Sequence, residues 1–126
     1  MTSPRTSTRT ERAIAMLFRA VVFFVALSTA KAAHFAIERK SAFLESFPGA
    51  SESVYVFFLF GSVIGFASLV GLFYFQRWAT WVFGILALFV TIVNVGVSAP
   101  LLHTFSGAGL TLVILILGYF CREQFR

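Results

Sequence analysis

The chain has 126 residues, 59% of them apolar and 12% charged, with a net charge of +5 and a mean hydropathy of +0.90. An ordinary soluble domain has about 45–50% apolar and about 25% charged residues, so a single water-exposed fold of this size could not hide so much apolar surface. Nucleic-acid binding is excluded as the meaning of the positive charge, because the basic residues flank apolar runs. The single cysteine, Cys121, excludes an internal disulfide and a CxxC redox centre.

Lipid must then be the solvent for much of the chain, and the expected fold class is all-α, an integral membrane up-down four-helix bundle. Residues 1–12 read as a disordered basic tail with Arg5, Arg9 and Arg12. The first span covers about 13–33 and is broken by Arg19. That residue lies about one and a half turns inside, where its stem can snorkel to the cytoplasmic headgroups. The same stretch has the parts of a secretory signal peptide: a basic start, an apolar core over Ala20–Leu27 and a small-residue site at Ala30-Lys31-Ala32. The expectation adopted is an uncleaved helix. Past Ala33 the pattern turns amphipathic, and the helix is expected to run on along or above the interface and to stop by Pro48-Gly49. Ser51-Glu52-Ser53 then offers N-cap chemistry for the next span.

The second span, about 54–75, carries Gly61 and Gly65 in GxxxG spacing with Ser68 a turn later. Small residues in this pattern let another helix approach closely where no hydrophobic effect draws helices together. A short polar turn, Gln76-Arg77, leads to the third span, about 78–97. Tyr74, Trp78 and Trp81 around that turn form an aromatic belt at one membrane surface. Along the third span Gly84, Ala87, Thr91, Asn94 and Ser98 recur at three- and four-residue steps, which puts them on one helix face. That small, polar face should look into the bundle. Ser98-Ala99-Pro100 makes the next turn, the fourth span covers about 101–121, and 122–126 is a short basic tail.

Four spans place both termini on one side. That side holds Arg5, Arg9, Arg12, Arg19, Arg77, Arg122 and Arg126, against Lys31, Arg39 and Lys40 on the other. The excess of positive charge puts both termini in the cytoplasm.

Few side chains offer chemistry. His34 ends the first span, His103 starts the fourth, and Glu38 lies one turn beyond His34. First and fourth helices are neighbours in an up-down bundle, so these three could converge on a metal, a quinone head group or, with two facing imidazoles, haem. The plainer expectation is preferred: interfacial histidines bonded to water and headgroups. Asn94 is the one carboxamide within a span. With Thr91 and Ser98 it is either helix-to-helix glue, which is preferred, or a contact for a solute or ion. The chain has no Asp and no Glu inside any span, which argues against a proton-coupled pump. It has no HExxH, no phosphate loop and no nucleophile–base pair at depth, so an enzyme acting alone is not expected.

The small multidrug exporters are similar in size but use a Glu in the first span, which is absent here. Thr104-Phe105-Ser106 is similar to the break in four-helix fluoride channels, but the rest of their pattern is missing. The tight basic-Trp turn Gln76-Arg77-Trp78-Ala79 and the tail ending Phe125-Arg126 resemble the small four-helix bacterial inner-membrane proteins, including DoxX-like ones. The resemblance implies a multi-pass protein of the bacterial inner (plasma) membrane. Some DoxX-like proteins are membrane subunits of quinone-linked oxidoreductases, but no site residues carry over.

The leading expectation is a non-catalytic subunit or interaction protein in the lipid bilayer. It would form a homo-oligomer or join a larger membrane complex through the Gly and small-residue faces at Gly61, Gly65, Ser68, Gly84 and Ala87. The alternatives are a quinone- or metal-associated redox subunit using His34 and His103, and a small-solute channel or carrier along the polar face of the third span. The residues specify no particular cofactor.

Overall fold

The computed structural model describes residues 8–46, 51–96 and 101–126, with the backbone alone at Ser46 and 101–104. The described residues are helical apart from caps and turns, with no strand among them. Helices run over Arg9–Glu38 (α1), Lys40–Ser46 (α2), Glu52–Phe73 (α3), Arg77–Gly96 (α4) and Leu101–Phe120 (α5), followed by a 3-10 turn over Arg122–Gln124. Three of them, α1, α3 and α4, are long and apolar enough to cross a membrane. α5 has 20 residues, of which Phe105–Phe120 forms a shorter apolar stretch among the described residues.

The four long helices pack in a ring: α1 against α3 and α5, and α4 against α3 and α5. Neighbours run in opposite directions. Arg19 near the start of α1 meets Phe73 at the end of α3, while Ala36 near the end of α1 meets Tyr55 near the start of α3. The molecule thus has a tail end, with the α3–α4 turn and residues 121–126, and an opposite end covered by α2.

α1 starts earlier than the sequence pattern suggests. Thr8 and Glu11 form a reciprocal capping box, with Glu11 N–H donating to Thr8 Oγ1 at 3.2 Å and Thr8 N–H donating to Glu11 Oε2 at 2.9 Å. Two first-turn donors are satisfied in this way, so the helix extends back through Arg12 to Arg9. Those two arginines belong to α1; residues 1–7 of the expected tail lie outside the described residues. At the far end α1 runs five residues beyond the expected span and stops where Arg39 leaves helical geometry, with φ −126° and ψ 56°. The amphipathic continuation is therefore divided between the last turns of α1, through Glu38, and a separate helix, α2. The Pro48-Gly49 breaker and the Ser98-Ala99-Pro100 turn lie outside the described residues.

α3 begins on Ser51, whose hydroxyl accepts from Val54 N–H at 3.4 Å. It ends in a Schellman motif centred on Phe75. Gln76 N–H donates to Gly71 O and Phe75 N–H donates to Leu72 O, both at 2.9 Å. Phe75 takes the left-handed position, φ 56°, where glycine is the usual choice. The strain of about 1–2 kcal/mol is offset by the ring, which is buried against Phe18 at 5.6 Å and Phe125 at 5.4 Å between centroids. Next to it, Arg19 Nε donates to the Phe73 carbonyl at 3.1 Å and its guanidinium lies over the Phe73 and Phe75 rings. A cation at a helix C-terminus satisfies an orphan carbonyl and favours the helix dipole. Arg19 is thus level with the α3–α4 turn.

Residues 122–126 do not form a loose tail. Phe125 is 9% exposed and stands edge-on to Phe18. Arg126 N–H donates to Phe75 O at 2.8 Å, and Arg77 N–H donates to Arg126 O at 3.0 Å. The basic-Trp turn and the Phe-Arg ending, far apart in sequence, are clamped together. Above this clamp Val22, Leu69, Leu72, Phe83 and Ile114 complete the core.

Candidate functional site

Four polar side chains of the long helices line a cavity of about 240 Å³ in the half of the molecule nearer α2. All four long helices line it, and Phe43 of α2 closes over one side. α2 is held there by several contacts. Phe43 packs on Tyr55 and Phe58 and Lys40 Nζ reaches both Glu52 carboxylate oxygens at 2.6 and 2.8 Å, while Tyr55 is itself tied to α1 by donating from its Oη to the Ala36 carbonyl at 3.0 Å. Toward the tail end the cavity stops at Leu69 and Phe83, below which the closed core begins.

Each long helix contributes one polar side chain to the wall: Thr29, Ser62, Asn94 and Thr111. Three of these are already occupied. The hydroxyls of Thr29, Ser62 and Thr111 donate to the carbonyls of Val25, Phe58 and Gly107, one turn back on their own helices, at 2.8–2.9 Å. Such back-bonding is how a hydroxyl is accommodated in an apolar surround. The Asn94 carboxamide has no hydrogen bond among the described residues. It is the one wall group with both donors and an acceptor to spare.

The small-residue stripe of α4 divides. Ala87 and Asn94 line the cavity, whereas Thr91, bonded through its hydroxyl to Ala87 O at 2.8 Å, does not. Gly84 has open space where a Cβ would project, and Ser98 lies outside the described residues. On α3 the GxxxG pair faces α4 of the same chain. A Cβ on Gly61 would lie 3.9 Å and one on Gly65 3.3 Å from the Leu86 methyl groups. Ser68 is fully buried, with its hydroxyl bonded to Gly65 O at 2.8 Å.

At the end of α1, His34 Nε2 is 3.2 Å from Glu38 Oε2, with both side chains largely exposed. The described residues include no group of three His, Cys, Asp or Glu able to hold a metal ion. The His103 side chain lies outside the described residues, so its distance from this pair is not part of the site.

No family model, curated protein or solved structure matches the chain.

The site therefore stands on its own geometry. Sequence reasoning placed Asn94 and Ala87 on the inward face but missed Thr29, Ser62 and Thr111. Their signal is faint: Ser62 and Thr111 are lone hydroxyls in apolar runs, and Thr29 sits beside Ser28 with nothing in the spacing to choose between them. Chemically, the wall offers shape, apolar contact and one free amide. No titratable side chain lines it among the described residues.

Proposed function

We propose that the chain is a multi-pass integral membrane protein of the bacterial inner membrane, an up-down four-helix bundle with both termini cytoplasmic. It acts as a non-catalytic subunit or interaction protein that packs laterally in the bilayer, with itself or with a larger membrane complex. The supporting observation is the unequal use of its glycines. Gly61, Gly65, Gly71 and Gly118 are met by side chains of the same chain, while Gly84, Gly96, Gly107 and Gly109 have nothing within 4 Å of a would-be Cβ, Gly107 because it borders the cavity. Open small residues on apolar helices suit the close approach of another helix.

Gly84 is the position to test, because a Cβ there would meet nothing within 4 Å. In lipid nanodiscs or mild detergent the native chain should run as an oligomer or carry a partner, and G84L or G109L should release it. A native chain that is monomeric and partner-free, or a complex indifferent to both substitutions, would contradict the proposal. A reporter fused after Arg126 should be active only on the cytoplasmic side.

The cavity favours a second function, the holding of a small lipid-soluble solute by Asn94. Room for such a molecule is ample, since an apolar cavity of about 150 Å³ takes benzene. The closed core beneath it argues for binding over passage. Photolabelling with a diazirine-bearing medium-chain alcohol should mark residues around Asn94, and N94L should abolish the label. Labelling spread evenly along the lipid-facing surface would count against it.

A further inference from the structure

At the tail end a second space, about 620 Å³, opens between α4 and α5. Its composition differs sharply from the cavity above. The floor is apolar and belongs to the core, with Phe18, Leu72, Ile114 and Phe125 all buried. The rim carries two arginines, Arg77 at the start of α4 and Arg122 just past the end of α5, both exposed. Arg122 is held in place: its Nη1 donates to Tyr119 O at 3.1 Å and its guanidinium lies 4.4 Å from the centroid of the Tyr119 ring. Arg77 is fixed at the backbone by its bond to Arg126 O. Trp81 and Tyr119, 74% and 61% exposed, flank the groove, Thr80 adds a hydroxyl and Glu123 one carboxylate.

We propose that this groove is a specific site for one anionic phospholipid, its phosphate between Arg77 and Arg122 and an acyl chain laid on the apolar floor. Three features choose this occupant. Two guanidiniums on one rim match a phosphate, for which arginine has both charge and fork geometry. Exposed Trp and Tyr mark the depth at which headgroups sit. A basic pocket between membrane helices on the cytoplasmic side is where anionic headgroups are held. Free phosphate would leave the floor uncovered, and a zwitterionic lipid would bring an ammonium toward two arginines.

The proposal rests on the membrane placement above, and the experiment separates the two. The full chain, extracted from membranes in mild detergent, is mixed with phosphatidylglycerol, phosphatidylcholine or inorganic phosphate. Bound lipid is counted by native mass spectrometry, with thermal melting in parallel. Phosphatidylglycerol should give a one-to-one adduct and raise the melting temperature, and the other two should do neither. The double variant R77Q/R122Q should weaken phosphatidylglycerol binding roughly thirtyfold, the effect of two interfacial arginines. T80F, which fills the groove and keeps both charges, should lose the adduct as well. K31Q/R39Q at the opposite end should retain it. The proposal is overturned by equal binding of the two lipids, by a matching shift with phosphate alone, or by an undiminished adduct in R77Q/R122Q. A chain that needs no detergent to leave the membrane would instead overturn the membrane placement itself.

Discussion

At the tail end, Phe18 of α1, Phe75 after α3 and Phe125 near the end of the chain fill one layer with three stacked or edge-on rings. At the α2 end the same four helices leave about 240 Å³ of space lined by Gly61, Gly65, Ala87 and Gly107. Both ends are apolar, so polarity does not explain the difference. Side-chain volume at each level does. Where large rings coincide they fill the middle of the helix ring, and Phe18 and Phe125 form part of the floor of the groove that opens outward between α4 and α5; where small residues of three helices coincide the middle itself is hollow, with Leu86 filling only part of the gap. In lipid, packing takes over much of the role that water-driven burial has elsewhere, so a hollow end should be the softer one.

The largest expected effect is therefore at the filled end. F18A removes a fully buried ring from the centre of the aromatic layer and should cost about 3–5 kcal/mol, read as a large drop in melting temperature in mild detergent. A melt within error of the native chain would break the comparison. Next come the glycines, which should respond with opposite signs at the two ends. A Cβ on Gly71 would lie 2.7 Å from Ala79 Cβ and 2.9 Å from the Trp78 ring, so G71A should destabilise by about 1–3 kcal/mol. G61A reaches only to 3.9 Å from Leu86 beside the cavity, and should stabilise by up to about 1 kcal/mol through helix propensity. If both substitutions move the melt in the same direction, the contrast between filled and hollow ends is wrong.

Two smaller tests sharpen it. At Phe75 the ring stabilises and the backbone strains. F75A should lose the ring and keep the strain, whereas F75G should lose the ring but relax the left-handed position. F75G should accordingly melt higher than F75A by about 1 kcal/mol, and the reverse order would remove the Schellman account. At the α2 end, Y55F deletes the bond to the Ala36 carbonyl and should cost about 1 kcal/mol. Hydrogen exchange should then rise over the last turns of α1, where the Ala36 carbonyl loses its tyrosine partner.

Much of the helical layout is legible in the chain. Apolar length gives the long helices, and Ser51 supplies the start of α3 as its hydroxyl allows. The structure differs where two weak local signals act together or where distant residues meet. Thr8 and Glu11 extend α1 into what composition alone reads as tail. Phe75 makes the turn because a buried ring overrides a backbone preference, which propensity cannot anticipate. The docking of Phe125 and Arg126 depends on Phe18, Phe75 and Arg77, far away in sequence, and the short basic tail gives no local sign of it. The cavity was half legible: α4 announces its small polar face through spacing, but single hydroxyls on α1, α3 and α5 have no period to reveal them. The His34–Glu38 pair was legible as neighbours one turn apart and forms at the surface.

The proposed placement of these helices in hydrocarbon rests on the exposed apolar girdle, with Met16, Val63, Ile85 and Leu112 among the outward side chains. Alkaline carbonate extraction of membranes from cells producing the full chain tests it most directly. The protein should stay in the membrane pellet and be released only by detergent. Recovery in the carbonate supernatant would contradict it.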